Sequence, residues 1–189
     1  DITNHYTPGK TSVTVTKAWL DENDQDGLRP QMIYVQLYAN DQATGERVPL
    51  SESNDWTHTW IDLPEKENGR TIDYTVKEDS DLNGYDVTIN DENQGNIILT
   101  NSHIPEVVAR NGKKVWDDQN NQDGKRPTEI MVNLLANGVV VDTKTVTEKE
   151  DWAYAFTELP KYDQGVEIDY TVTEETIPGY STEINGMDI

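Results

Sequence analysis

The sequence predicts an all-β chain of two homologous β-sandwich domains, and three observations carry that expectation. Apolar and polar residues alternate over short runs, turn-forming pairs punctuate those runs, and a long motif returns at a fixed offset. The run Ser12–Trp19 sets Val13, Val15, Lys17 and Trp19 on one face of a strand. Met32–Tyr38, Trp56–Trp60, Thr71–Lys77, Tyr85–Ile89 and Asn96–Thr100 read as further strands, separated by turns such as Asp26-Gly27, Asn68-Gly69 and Asn83-Gly84. No segment keeps a helical period. Short strands at this spacing suit a sandwich of immunoglobulin-like outline whose first and last strands are neighbours.

The repeat sets the domain count. Lys17, Trp19, Asp26-Gly27 and Arg29-Pro30 recur as Lys114, Trp116, Asp123-Gly124 and Arg126-Pro127, an offset of 97 residues. Asp55-Trp56 and Leu63-Pro64 return as Asp151-Trp152 and Leu159-Pro160, Ile72–Glu78 as Ile168–Glu174, and Gly84-Tyr85 as Gly179-Tyr180. Residues 10–105 and 106–189 are therefore expected to form the two domains, joined by a short linker near 102–111. Asn4 and Pro8 stand before Lys17 as Asn101 and Pro105 stand before Lys114, so residues 1–9 read as the closing strand of a preceding repeat. Asp188-Ile189 repeats Asp1-Ile2, and a further Thr-Asn is expected to follow it. The chain thus reads as one period of a longer tandem array.

Composition narrows the function classes. A net charge of -21 argues against binding nucleic acid or an anionic membrane. No apolar run is long enough to span a bilayer, and no leader or sorting motif is recognisable. With no cysteine, disulfides and thiolate metal sites are ruled out, so a small secreted β module needs some other staple. His5, His58 and His103 lack metal-ligand spacing and are expected on the surface.

The same alternation that builds the strands aims three polar residues inward. Lys17 points with Val13 and Val15, Glu78 with Tyr74 and Val76, and Asn101 with Ile97 and Leu99. Lys114 and Glu174 form a second, partial set. Burial disfavours charged forms, leaving a nucleophilic amine and a proton-donating carboxylic acid. With an asparagine amide beside them, amide exchange is possible: the lysine nitrogen attacks the amide carbonyl, the glutamic acid shuttles protons, ammonia leaves, and an isopeptide remains. Alternation alone also permits Lys17 to snorkel to solvent, Glu78 to pair with it, and Asn101 to begin a turn.

Other candidates give way to simpler readings. In the loop Asp21–Gly27 a calcium site would need a glutamate where Ile33 stands, and the second copy replaces two of its ligands by Gln119 and Asn121. Arg29 and Arg126 are instead expected to bond loop carboxylates or carbonyls. Four of the five tryptophans, Trp19, Trp56, Trp116 and Trp152, fall at matching places, and Phe156 matches Trp60, which favours core packing over a carbohydrate platform. No nucleophilic triad, phosphate loop, metal site or cofactor site emerges.

The motifs Lys-x-Trp, Asp-Gly-x-Arg-Pro, Leu-Pro, Tyr-Thr-Val-x-Glu and Thr-Asn together resemble the B-type repeat (CnaB) domains of the Gram-positive collagen adhesin, over nearly the whole chain. That resemblance implies reverse immunoglobulin-like, prealbumin-like sandwiches, each with a spontaneous lysine-asparagine isopeptide bond assisted by a glutamate. Lys17 and Asn101 would be the bonded pair and Glu78 the catalyst, with Lys114 and Glu174 in those roles in the second domain and Asn4 closing a preceding one. Lys113 is disfavoured because Lys114 shares the face of Trp116. The implied function is an extracellular stalk, anchored to the cell wall elsewhere, that turns over no substrate. Its partners would be neighbouring repeats, while another region binds collagen or another matrix protein. The alternative is a module that itself binds a matrix protein or glycan.

Overall fold

The computed structural model of the chain describes residues 1–189 and divides into two compact units. One comprises Asp1–Asp24 and Leu28–Ile104; the other comprises Pro105–Ile189 with Gln25–Gly27. Residues 1–9 are exposed and lie in no strand. The first domain then contains β1 (Lys10–Leu20), β2 (Met32–Ala39), β3 (Gln42–Ser51), β4 (Thr57–Pro64), β5 (Lys66–Glu67), β6 (Arg70–Thr71), β7 (Tyr74–Glu78), β8 (Asp86–Asn90) and β9 (Ile97–Ser102). One sheet runs β4-β1-β9-β8, the other β3-β2-β7, and β5-β6 is a small hairpin. β1 and β9 pair in parallel, with Lys17 opposite Leu99 and Trp19 opposite Asn101. The predicted neighbour relation of first and last strands therefore holds.

Alternation fills the space between the sheets. Val13, Val15, Ile33, Val35, Leu37, Tyr74, Val76, Ile97 and Leu99 are all buried in one cluster. The tryptophans join its margin rather than a surface platform: Trp19 meets Trp56 edge-on at 5.2 Å and Tyr85 at 5.3 Å.

Two features differ from the sequence reading. β3 was not expected, because Gly45 and Pro49 look like breakers; it survives as a sheet edge, where proline costs no ladder bond, with a bulge opposite Val35–Leu37. Its hairpin with β2 turns at Asn40-Asp41, both at positive φ (46° and 63°), without any glycine. His58 and His103 are also half-buried rather than free on the surface: His58 packs on Trp60 at 4.7 Å, and His103 bonds the Gly84 carbonyl at 2.7 Å.

The second domain repeats the plan with β10 (Val107–Lys113), β11 (Glu129–Ala136), β12 (Val139–Thr147), β13 (Ala153–Pro160), β14 (Tyr162–Asp163), β15 (Val166–Glu167) and β16 (Tyr170–Glu174). Its sheets are β10-β13 and β12-β11-β16, with the β14-β15 hairpin. The copies diverge at one cross-strand pair. Val15 opposite His58 becomes Gly112 opposite Tyr154. A Cβ on Gly112 would run into the Tyr154 ring and the Met187 carbonyl, to which the Tyr154 hydroxyl donates. The volume lost from one strand is thus supplied by the other.

Gly112→Val alone should destabilise the second domain by about 1–3 kcal/mol through overpacking. Adding Tyr154→His, which restores the first domain's pair, should recover part of that loss. Denaturant melts of both variants measure the coupling; equal stability of the single and double variants would reject the trade.

Candidate functional site

Three strands converge on the inward polar residues of the first domain. β1 supplies Lys17, β9 supplies Asn101 and β7, in the facing sheet, supplies Glu78. Lys17 is 4% exposed and Asn101 is 0% exposed, so neither reaches solvent. The Glu78 carboxylate lies between them: Oε2 is 3.6 Å from Lys17 Nζ, and Oε1 accepts a hydrogen bond from Asn101 Nδ2 at 3.0 Å. Lys17 Nζ also donates to the Ala18 carbonyl at 3.2 Å and lies 4.2 Å from the Trp19 ring centroid. The snorkelling alternative is thereby excluded. Asn101 Oδ1 is buried with no hydrogen-bond partner, which leaves that carbonyl free to take a proton or a donor.

Burial lowers the Lys17 pKa to about 8, and the Glu78 carboxylate offsets that desolvation only in part. The amine is therefore far more available at neutral pH than an exposed lysine. An amine, a carboxyl able to carry a proton and an asparagine amide share one dry site, the set that amide exchange requires.

The second domain builds the same pair. Lys114 Nζ lies 2.8 Å from Glu174 Oε2 and 4.6 Å from the Trp116 ring centroid, and its side chain is 6% exposed. Lys113 instead points outward to Asp151 at 2.8 Å, as the sequence reading expected. Ile189 brackets Lys114 as Leu99 faces Lys17: its N–H donates to Lys113 O at 3.1 Å, and its carbonyl accepts from Val115 N at 2.7 Å. Thr182 Oγ1 donates to Glu174 Oε1 at 3.1 Å, the role that the Asn101 amide plays for Glu78. Asn4 is exposed and belongs to neither site.

A clamp behind each site was only half anticipated. Arg29 grips Asp21 through Nη2 at 2.5 Å and Nε at 3.1 Å, while Tyr85 donates to Asp21 Oδ2 at 2.8 Å. Arg126, Asp118 and Tyr180 repeat it at 2.7, 3.0 and 3.0 Å. Burial raises the Asp21 carboxyl, but the bonds from Arg29, Tyr85 and the Asp24 N–H outweigh it and hold its pKa low. One carboxylate of each acidic loop, Asp21 or Asp118, is thus held in an internal ion pair. Both Lys17 and Arg29 approach the Trp19 ring, the Arg29 Cζ at 5.4 Å from its centroid. The tyrosines carried a signal in the sequence, the repeated Gly-Tyr pair, while Thr182 carried none.

Asn101→Ala keeps the Lys17–Glu78 pair without an amide to attack. A lysine whose folded pKa is depressed binds fewer protons folded than unfolded between about 8 and 10.5. Stability of the first domain in this variant should therefore rise with pH across that window, by at most about 3 kcal/mol. Urea melts at pH 7.5 and 10 test this; a flat or falling profile would show the ammonium to be solvated.

The chain matches the Cna protein B-type domain family over residues 13–102 and again over 110–189. It is 53% identical over 188 residues to the collagen adhesin of Staphylococcus aureus, covering 100% of this chain and 16% of that protein's length. Its structure superposes with a TM-score of 0.93 on the crystal structure of two B repeat units of the collagen binding protein of Staphylococcus aureus, at 52% identity over 97% of this chain and 49% of that one. By sequence and by fold, the chain belongs to the Cna protein B-type domain family and holds two tandem copies of that all-β domain.

Proposed function

We propose that this chain is a stalk segment of a cell-wall-anchored surface adhesin, stiffened by an isopeptide bond between Lys17 and Asn101. The observation that carries the reading is the Glu78 carboxylate held between a buried lysine at 3.6 Å and a buried asparagine amide at 3.0 Å. Kinship with the B repeats supports it. The two domains, residues 10–105 and 106–189, serve as spacers that neighbouring repeats extend, and residues 1–9 with Asn4 close the site of a preceding repeat. The wall anchor and the region that binds collagen or another matrix protein belong to other parts of the polypeptide.

The chemistry balances without cofactor or metal. Lys17 passes a proton to Glu78, and the free amine attacks Asn101 Cγ. Glu78 hands its proton to the departing Nδ2, the C–N bond breaks, and ammonia leaves. The second proton of the Lys17 nitrogen returns to the carboxylate, so Glu78 ends neutral beside a neutral amide. Glu174 does the same for Lys114 when an asparagine strand completes that site. Closing the loop from Lys17 to Asn101 stabilises the domain by about 4–5 kcal/mol on a chain-entropy basis.

The intact mass of the purified chain should be lower than its sequence mass by one ammonia, and Glu78→Ala should restore the full mass. Full mass in the unmutated chain would refute the bond. Under force, the unmutated first domain should release only the few residues outside Lys17–Asn101, whereas Glu78→Ala should release the whole domain. Equal extensions would defeat the stalk mechanism.

A further inference from the structure

In the second domain β12 is the outer strand of its sheet, paired on one side with β11, and Val139–Thr145 are all exposed. Neighbouring bonds fix which of its backbone groups face outward. The Met131 carbonyl accepts from Glu175 N at 3.1 Å, on the β16 side. Met131 and Asn133 therefore turn their backbone groups away from β12, and Thr145 and Thr143, opposite them, turn theirs outward. Thr147, next in that series, already uses its carbonyl to take the Trp152 N–H at 3.1 Å. The Thr143 N–H is held by the adjacent Asp142 carboxylate at 2.8 Å.

The first domain closes the equivalent edge. Tyr34 stands opposite Pro49 as Met131 stands opposite Thr145. Pro49 has no N–H to offer, and its carbonyl accepts from Asn54 Nδ2 at 2.9 Å. Glu150 takes the place of Asn54 in the second domain, where it accepts the Thr147 N–H at 3.2 Å. A carboxylate has no proton to give the Thr145 carbonyl. The second edge thus keeps a donor and an acceptor that the first has lost.

Charge selects what can pair there. Asp142 and Lys144 stand opposite the buried Leu134 and Val132, so both side chains lie at the rim of the core, with Lys144 Nζ 5.4 Å from the Phe156 ring centroid. An incoming strand must set a cation against Asp142 and an anion against Lys144, which excludes most strands. The same strand of a second copy, run antiparallel about Thr143, meets both demands. Thr143 then faces Thr143, Thr145 faces Val141, and Asp142 faces Lys144 twice. Shifting the two-fold axis by one residue sets Asp142 against Asp142 or Lys144 against Lys144.

We propose that β12 pairs edge to edge with β12 of a second copy of this chain, antiparallel, with the two-fold axis at Thr143. The contact is noncovalent and lateral, and it is independent of the amide exchange.

The test is sedimentation equilibrium of the purified 189-residue chain at about 0.15 M salt, which shortens the range of repulsion from the net charge of -21 to about 8 Å. One strand edge buries less than the roughly 1,200–2,000 Å² of a stable interface, so the expected dimer is transient, with a Kd between about 10 µM and 1 mM. Lys144→Glu and Asp142→Lys should each weaken it at least about tenfold by opposing like charges. An equal mixture of those two variants should restore a mixed dimer, and both substitutions in one chain should restore self-pairing. These two rescues separate charge matching from damage to the fold. Thr145→Pro, which copies Pro49 and removes no bond to β11, should leave monomer. Monomer throughout, to about 1 mM, would overturn the pairing. A dimer indifferent to the charge exchanges or to Thr145→Pro would place the contact on another face and overturn it equally.

Discussion

The structure depends on a lysine ammonium and a glutamate carboxylate held in a dry core. Either charge alone there would cost several kcal/mol, and even the pair recovers little more than its own desolvation. That cost is what makes the site chemically poised: burial that disfavours the charged amine is the same burial that frees its lone pair. In the proposed exchange the strained arrangement is discharged, because both partners end neutral. A site expensive to hold open thus becomes inexpensive once closed.

The surroundings serve this economy. Trp19 and Trp116 place an aromatic face beside each ammonium, and the Asp21–Arg29–Tyr85 and Asp118–Arg126–Tyr180 clamps fix the loop that follows each lysine strand. Asp21 and Asp118 are each engaged by an arginine and a tyrosine inside the domain. The sandwich core then needs only to hold three backbones in register for their side chains to meet.

Much of this was legible in the sequence because strand periodicity and burial agree there. Lys17, Glu78 and Asn101 each sit two residues from a core aliphatic, and a period of two admits no other face. The repeat also exposed Lys114 and Glu174. What escaped were features decided by tertiary context. Gln42–Ser51 carries a glycine and a proline that only a sheet edge tolerates, and Asn40-Asp41 makes a tight hairpin without glycine. The exchange of Val15 and His58 for Gly112 and Tyr154 is invisible along one strand, because the compensating bulk lies on another. Thr182 reaches Glu174 from a segment with no regular pattern.

The parallel sense of β1 and β9 carries a mechanical meaning. Because both strands run the same way, the chain enters the first domain at Lys10, ahead of the ladder's first pair Val15–Ile97, and leaves at its last, Leu20–Ser102. Where no covalent bond joins Lys17 to Asn101, tension between those ends slides the two strands lengthwise, so the hydrogen bonds are strained together rather than unzipped in succession. An antiparallel closing strand would place entry and exit at the same end and peel rung by rung. The fold resists shear by its topology alone.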